Sequence, residues 1–245
     1  MKELQITEII GRANQGATRP FICRAEDGKL YYVKGKSAST GERIREWIGA
    51  NLAAVFGLTV PPMALLEIPK SLLDVSDSEV QHDLGLGFAV GSQQILAVDE
   101  LRVEDISFIP LDIQQAIAVF DLWLQNEDRT LSVLGGNPNL LYQQSSQRVY
   151  AIDYNLILPD YFDLKLFHAT HVFREALKPE ILPDTNRQVF AKRMRQALLA
   201  WPQFVQRLPD SWLDENETTH AFAFTDVLQR LQEQASGALW RNLES

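Results

Sequence analysis

Six residues fall along this chain in an order that suits one kind of chemistry: Lys34, Glu46, Asp128, Asn137, Asn139 and Asp153. Moving a phosphoryl group from a nucleotide to a hydroxyl asks for few protein parts. They are a lysine on the phosphates, one or two oxygen ligands for Mg2+, and a carboxylate that aligns the acceptor. Lys34 ends the strand-like run Leu30-Tyr31-Tyr32-Val33, where a long cation can reach from a rigid edge. Glu46 lies opposite the apolar stripe of the helix that follows, with Gly49, Ala50 and Ala53 at i+3, i+4 and i+7. Small neighbours imply a closely approached face, where a carboxylate needs a cation, and Lys34 can supply it. Glu42, on nearly the same face, is the alternative partner. Asp128 stands in a polar loop, Asn137-Pro138-Asn139 precede Leu140-Leu141, and Asp153 closes Ala151-Ile152-Asp153. A loop carboxylate, an amide before a strand and a carboxylate ending the paired strand can converge on one point. Asp128 would then be catalytic, with Asp153 and an asparagine on the metal. Taken singly, each has a duller explanation: a solvated strand-end lysine, or local turn chemistry for Asp128 and Asn137. Their joint order carries the reading.

Other chemistries fit less well. Gly35-Lys36-Ser37 invites a phosphate-loop reading, but Leu30 stands where that pattern needs a glycine, and Tyr31 to Lys34 are strand formers. Cys23 is the only cysteine, which excludes an internal disulfide and a thiolate zinc site. His168 and His171 have helical spacing but no evident third ligand, and read as a partly exposed helix surface. A net charge of -9 argues against a nucleic-acid partner gripped by its backbone, yet leaves room for a nucleotide. The first ten residues lack a basic start followed by an apolar core, and the most apolar stretch, 52–68, is broken by Gly57 and Pro61-Pro62. No signal peptide and no membrane span are expected, so the cytoplasm is the expected compartment.

Stepping outward to the elements, strands are predicted at 4–10, 21–25 and 29–34, with Glu26-Asp27-Gly28 as a hairpin turn. Ser39 and Glu42 form a capping-box pattern ahead of a helix whose stripe is Ile44, Trp47, Ile48, Leu52, Val55 and Phe56, with Gly57 as its stop. Residues 60–68 look extended, 72–84 look like a loop or short helix, and 87–95 like another strand. Ile113, Ile117, Phe120 and Leu124 mark a second helix behind Pro110. A hairpin, 139–142 with 149–153, follows, and the rest from about 164 is mostly helical, broken by Pro179, Pro183, Pro202 and Pro209. The pattern is α+β with two lobes. A small antiparallel-sheet N-lobe with one main helix occupies 1–97, and a mostly helical C-lobe with the catalytic and metal-binding loops occupies 98–245.

Residues 117–155 resemble the HipA-like kinases, relatives of the protein kinase and phosphatidylinositol kinase group. The resemblance rests on Phe120-Asp121-x-Trp123-x-x-Asn126-x-Asp128-Arg129-Thr130, Asn137-Pro138-Asn139-Leu140-Leu141 and Ile152-Asp153. Val33-Lys34, Arg45-Glu46, Leu58-x-Val60-Pro61 and the tail Leu208-Pro209-x-Ser211-Trp212-Leu213 add to it. It implies a two-lobed kinase-like fold that binds ATP with Mg2+, and an ATP-dependent phosphotransferase. Lys34 becomes the phosphate lysine, Glu46 its partner, Asp128 the catalytic carboxylate, Asn139 or Asn137 a metal ligand, and Asp153 the principal one. Arg12, Asn14 and Thr18 are the candidate nucleotide contacts of the phosphate-covering loop. The loop from Leu131 to Gly136 runs about four residues longer than the family pattern. The first acceptor implied is a protein Ser/Thr hydroxyl. The alternatives are a small-molecule or lipid kinase, and a non-catalytic nucleotide-binding protein on the same scaffold. A separate regulatory protein is compatible with any of these.

Overall fold

The computed structural model describes residues 3–13 and 19–243. Two compact units are found. The first takes in the chain up to Trp47 together with Pro61–Leu96 and Leu208–Phe222; the second takes in Ile48–Val60, Ala97–Arg207 and the chain from Ala223 onward.

The first unit is built on five strands: β1 (Leu4–Arg12), β2 (Phe21–Ala25), β3 (Leu30–Lys34), β4 (Met63–Ile68) and β5 (Gly87–Gln93). They close into a barrel in the order β1-β2-β3-β5-β4. Four of the pairings are antiparallel, but β1 and β4 run parallel, Leu4 opposite Leu66 and Gln5 opposite Glu67. This corrects the expected antiparallel sheet. Strand direction cannot alternate all the way around a ring of five, so a closed barrel of five strands must contain a parallel pair; closure in turn removes the exposed edges.

Strand alternation decides which way each side chain points. Phe21, Cys23 and Ala25 on β2, and Tyr31 and Val33 on β3, pack into the barrel core with Ile6, Leu66 and Ala89. Lys34, next to Val33, therefore leaves that core on the other side. Two short helices, α2 (Lys70–Asp74) and α3 (Ser78–Asp83), occupy the segment read as a loop or short helix. Asp77 caps α3 by accepting from the Val80 N–H.

Helix α1 (Thr40–Phe56) starts at the expected capping box. The Ser39 N–H and hydroxyl both donate to Glu42 Oε2, and the Glu42 N–H donates back to Ser39 Oγ. Ile44, Trp47, Ile48, Leu52 and Phe56 are buried, whereas Val55, placed in the same stripe by its spacing, is 43% exposed.

In the second unit, β6 (Asp99–Glu100), β7 (Leu140–Gln143) and β8 (Arg148–Ala151) form an antiparallel sheet in that order. Asp99–Glu100, just past the expected boundary between the lobes, thus contributes a strand to what the sequence shows as a plain hairpin. The Thr59 carbonyl accepts from the Ala151 N–H at the end of β8. The unit also contains α4 (Leu111–Trp123), α5 (Leu164–Thr170), α6 (Asp184–Leu199), α7 (Trp201–Val205), α9 (Phe224–Glu233) and α10 (Leu239–Leu243), while α8 (Asp210–Thr219) belongs to the first unit. Phe56 centres the aromatic core, 5.1 Å from Phe120, 6.2 Å from Trp123 and 6.1 Å from Phe190. Among the described residues no helix is long and apolar enough to cross a membrane.

Candidate active site

In the first unit Lys34 and Glu46 meet. Lys34 Nζ donates to Glu46 Oε2 at 2.7 Å, with the side chains only 11% and 6% exposed. Glu42 is committed to capping α1, so it does not compete for the lysine. An ion pair this sheltered is a positioning device more than a source of stability, because desolvation offsets most of its attraction.

Arg12, at the end of β1, is turned toward α3. Its Nε lies 3.2 Å from Glu79 Oε1, its Nη2 bonds Asp83, and its guanidinium sits 4.1 Å over the Phe21 ring. As a nucleotide contact it would first have to leave these carboxylates. Asn14 and Thr18 lie outside the described residues.

In the second unit Asp128, Asn137 and Asn139 are brought together. The amides of Asn137 and Asn139 both donate to Asp128 Oδ2, at 3.0 and 2.7 Å. Oδ1 of the same carboxylate has no hydrogen bond to a described residue. The long loop does not disturb this. Ser132 and Gly135 exchange backbone hydrogen bonds at 3.0 Å, which loops Val133 and Leu134 out into solvent, while the Thr130 N–H donates to the Asn137 carbonyl at 2.9 Å below them. Gly136 is needed at that base: a Cβ there would lie 2.5 Å from the Thr130 carbonyl oxygen.

Asp153 follows β8, and the Ile152 N–H donates to the Asn139 carbonyl at 3.0 Å, so the two candidate positions stand at the two sides of the hairpin's base. Both have left-handed backbone, φ +48° at Asn139 and +60° at Asp153. Asn and Asp tolerate that region best among non-glycine residues, yet it still costs roughly 1 kcal/mol each. Tyr154 and Ile157, just beyond, lie against Gly49 of α1, the small-residue face expected to be closely approached.

The residues that hold these loops are ones to which sequence reasoning assigned no role. Arg129 is fully buried. Its Nε donates to Asp121 Oδ2 at 2.7 Å, its Nη1 to the Pro138 and Asn139 carbonyls, and its Nη2 to the Ile152 carbonyl at 3.4 Å. One guanidinium therefore fastens the neighbours of Asp128, Asn139 and Asp153 to one another. Asp121 also accepts from Asn126 Nδ2 at 2.9 Å and from His171 Nε2 at 3.0 Å. His171 Nδ1 accepts the Phe173 N–H, which puts the ring proton on Nε2. Burial holds His171 below the ordinary histidine pKa, with Asp121 offsetting only part of it. Burial alone would raise the Asp121 carboxyl, but Arg129, His171 and Asn126 outweigh it and hold it below its ordinary value. His171 is therefore a buried neutral strut, which corrects its reading as part of a helix surface. The signal in the sequence was Asp121 itself, a carboxylate inside the apolar run from Ala116 to Trp123 that had to be paired.

Mg2+ takes hard oxygen ligands and keeps few of them from protein when phosphates supply the others. Asn139 spends its Nδ2 on Asp128 and so has its amide oxygen to offer, and Asp153 offers a carboxylate, so the donor chemistry fits. Among the described residues no group of three or more His, Cys, Asp or Glu side chains could hold a metal alone.

A family model for HipA-like kinases matches residues 6–243. The chain belongs to the HipA-like kinase family. Among solved structures, this HipA-like chain is similar to a Helicobacter pylori proinflammatory kinase, CtkA, at 14% identity, with 96% of this chain and 92% of that one covered and a TM-score of 0.45. It is similar to the Golgi casein kinase at 12% identity, with 99% and 71% covered and a TM-score of 0.49. The Mn/ADP-bound form of that kinase gives 11% identity, 99% and 72% covered, and a TM-score of 0.46. No curated protein matches the sequence.

Proposed function

We propose that this HipA-like chain is an ATP-dependent phosphotransferase whose acceptor is a hydroxyl, with a protein Ser or Thr as the first acceptor to test. The observation that carries the reading is the state of Asp128. Two asparagine amides fix its carboxylate through Oδ2 and leave Oδ1 to align an acceptor hydroxyl and take its proton as the new P–O bond forms and the bond from the γ-phosphorus to the bridging oxygen breaks, releasing ADP. Lys34, steadied by Glu46, holds phosphate oxygens of ATP. Asp153 and Asn139 would hold Mg2+, which supplies charge neutralisation on the phosphates when bound. Arg129 keeps the loops of Asp128, Asn139 and Asp153 in register, so that proton acceptor and metal ligands are preset before substrate arrives. The long loop gives no support to a non-catalytic reading, because its extra residues are looped out and leave Asn137 and Asn139 on Asp128.

The test is ligand-linked stability. A ligand that binds only the native state adds RT ln(1 + [L]/Kd), about 2.7 kcal/mol at a hundredfold excess over Kd. Mg2+ with ATP, or with a non-hydrolysable analogue, should raise the melting temperature, and Lys34→Ala should reduce the rise. No shift at millimolar Mg-ATP would overturn nucleotide binding. Incubation with γ-labelled ATP and cell lysate then reads which species receives the phosphate.

A further inference from the structure

The segment Leu208–Phe222 groups with the barrel, far along the chain from it, and nothing in the reaction above uses it. Its contacts fall on the first turns of α1, the helix that carries Glu46. Arg43 is the focus. It is 4% exposed, and its guanidinium lies 4.8 Å over the indole of Trp212 on α8, itself 2% exposed. Arg43 Nη2 donates to Thr40 Oγ1 at 2.7 Å and lies 3.5 Å from Glu215 Oε2; Nη1 reaches the Phe88 carbonyl on β5 at 3.4 Å. Two residues beyond Phe88, Val90 is the β-ladder partner of Lys34. Arg43 thus ties α1 to α8 on one side and to the strand beside Lys34 on the other.

Two more contacts follow the same face. A Cβ on Gly41 would lie 2.9 Å from the Ala221 carbonyl oxygen, and Arg45 sits 5.6 Å over the Phe222 ring. The segment is itself stiffened: Asn216 Nδ2 donates to the Phe222 carbonyl, and the Phe222 N–H returns to Asn216 Oδ1, across a left-handed His220.

We propose that Leu208–Phe222 is a built-in clamp on α1, and that Arg43 and Trp212 are positioning residues that set Glu46, one turn further on, against Lys34. The proposal rests on the reading of Lys34 and Glu46 as the phosphate-holding pair. A lysine cannot replace Arg43, because only a planar guanidinium can stack on an indole while its edges reach three acceptors in different directions.

The test is a double-mutant cycle on affinity for a non-hydrolysable ATP analogue with Mg2+, measured by titration of the full chain. Arg43→Lys should weaken affinity about tenfold alone and add almost nothing in a Glu46→Gln background, since groups acting through one another are not additive. Trp212→Phe should give a smaller loss, about two- to fivefold, with the same non-additivity. Should Arg43→Lys fail to fold, Trp212→Phe and the half-exposed Glu215→Gln carry the cycle. A merely structural Arg43 predicts either unchanged affinity or a loss that adds in full to that of Glu46→Gln, and either result overturns the clamp. If Lys34→Ala and Glu46→Gln themselves leave affinity unchanged, the phosphate-pair reading fails and the clamp falls with it.

Discussion

Asp128 and Asp153 are both half-buried carboxylates in loops, yet their surroundings suit them to different work. Asp128 is gripped through one oxygen by two neutral amides, and its other oxygen has no hydrogen bond to a described residue. Asp153 stands two residues past β8, close enough to Arg129 to help raise its pKa, and has a left-handed backbone. On the proposed roles, Asp128→Asn should leave Mg-ATP affinity largely intact while transfer falls by about 10²–10⁴-fold, the usual contribution of a general base. Asp153→Asn should weaken Mg2+-dependent nucleotide binding as well as transfer, because a neutral amide neither offsets the ion's charge nor anchors it as firmly. Titrations with and without Mg2+, beside a transfer assay, separate the two. Loss of nucleotide in Asp128→Asn together with full activity in Asp153→Asn would show both assignments to be wrong.

At the scale of elements, the loop between Asp128 and the asparagines shows what a sequence can and cannot convey. Counting residues reveals an insertion but not where its length goes; that is settled by backbone hydrogen bonds between Thr130 and Asn137 and between Ser132 and Gly135, which carry no side-chain signature. Local signals read well: the β2–β3 hairpin, the capping box of α1, its stripe, and the β7–β8 hairpin all follow from turn residues and periodicity. The parallel β1–β4 pair did not, because barrel closure joins strands some 60 residues apart that look the same whether or not they pair. His171 was misread because its spacing is helical while its partner, Asp121, is 50 residues away. If the insertion is only looped out, replacing Val133-Leu134 with Asn-Gly, a pair suited to a tight two-residue turn, should change stability by less than about 0.5 kcal/mol and leave Mg-ATP affinity alone. Gly136→Ala should instead cost about 1–3 kcal/mol, since its Cβ would meet the Thr130 carbonyl and force the base open. Urea denaturation of both variants measures this, and a large loss in the Asn-Gly exchange would mean that the tip supports the fold.

For the whole molecule, the Asp121–Arg129–His171 cluster makes stability depend on pH in one direction. Burial keeps the folded-state pKa of His171 low, and Asp121 offsets only part of this; Arg129 and Arg174 push the same way as burial. His168 is likewise lowered, first by burial and then by His171. In the unfolded chain these rings titrate near ~6.5, so below that pH the unfolded state binds more protons than the folded one and stability falls. Asp121 acts in the same sense further down. Its folded pKa is depressed, so its contribution is complete above the unfolded value of ~3.9 and is lost as pH drops through the lower folded value. Protein stability should therefore begin to decline between about pH 7 and 5, well before the carboxylates titrate, with a slope approaching about 1.4 kcal/mol per pH unit for each proton taken up on unfolding. His171→Gln, which keeps an N–H for Asp121 but cannot titrate, should flatten that part of the profile by about one proton while leaving the steeper fall at lower pH. Unfolding free energies from urea titrations across this range give the slope directly. An unchanged slope in His171→Gln would show that His171 already carries its proton in the folded protein, and that the cluster is held together by charge on the ring and not by a neutral strut.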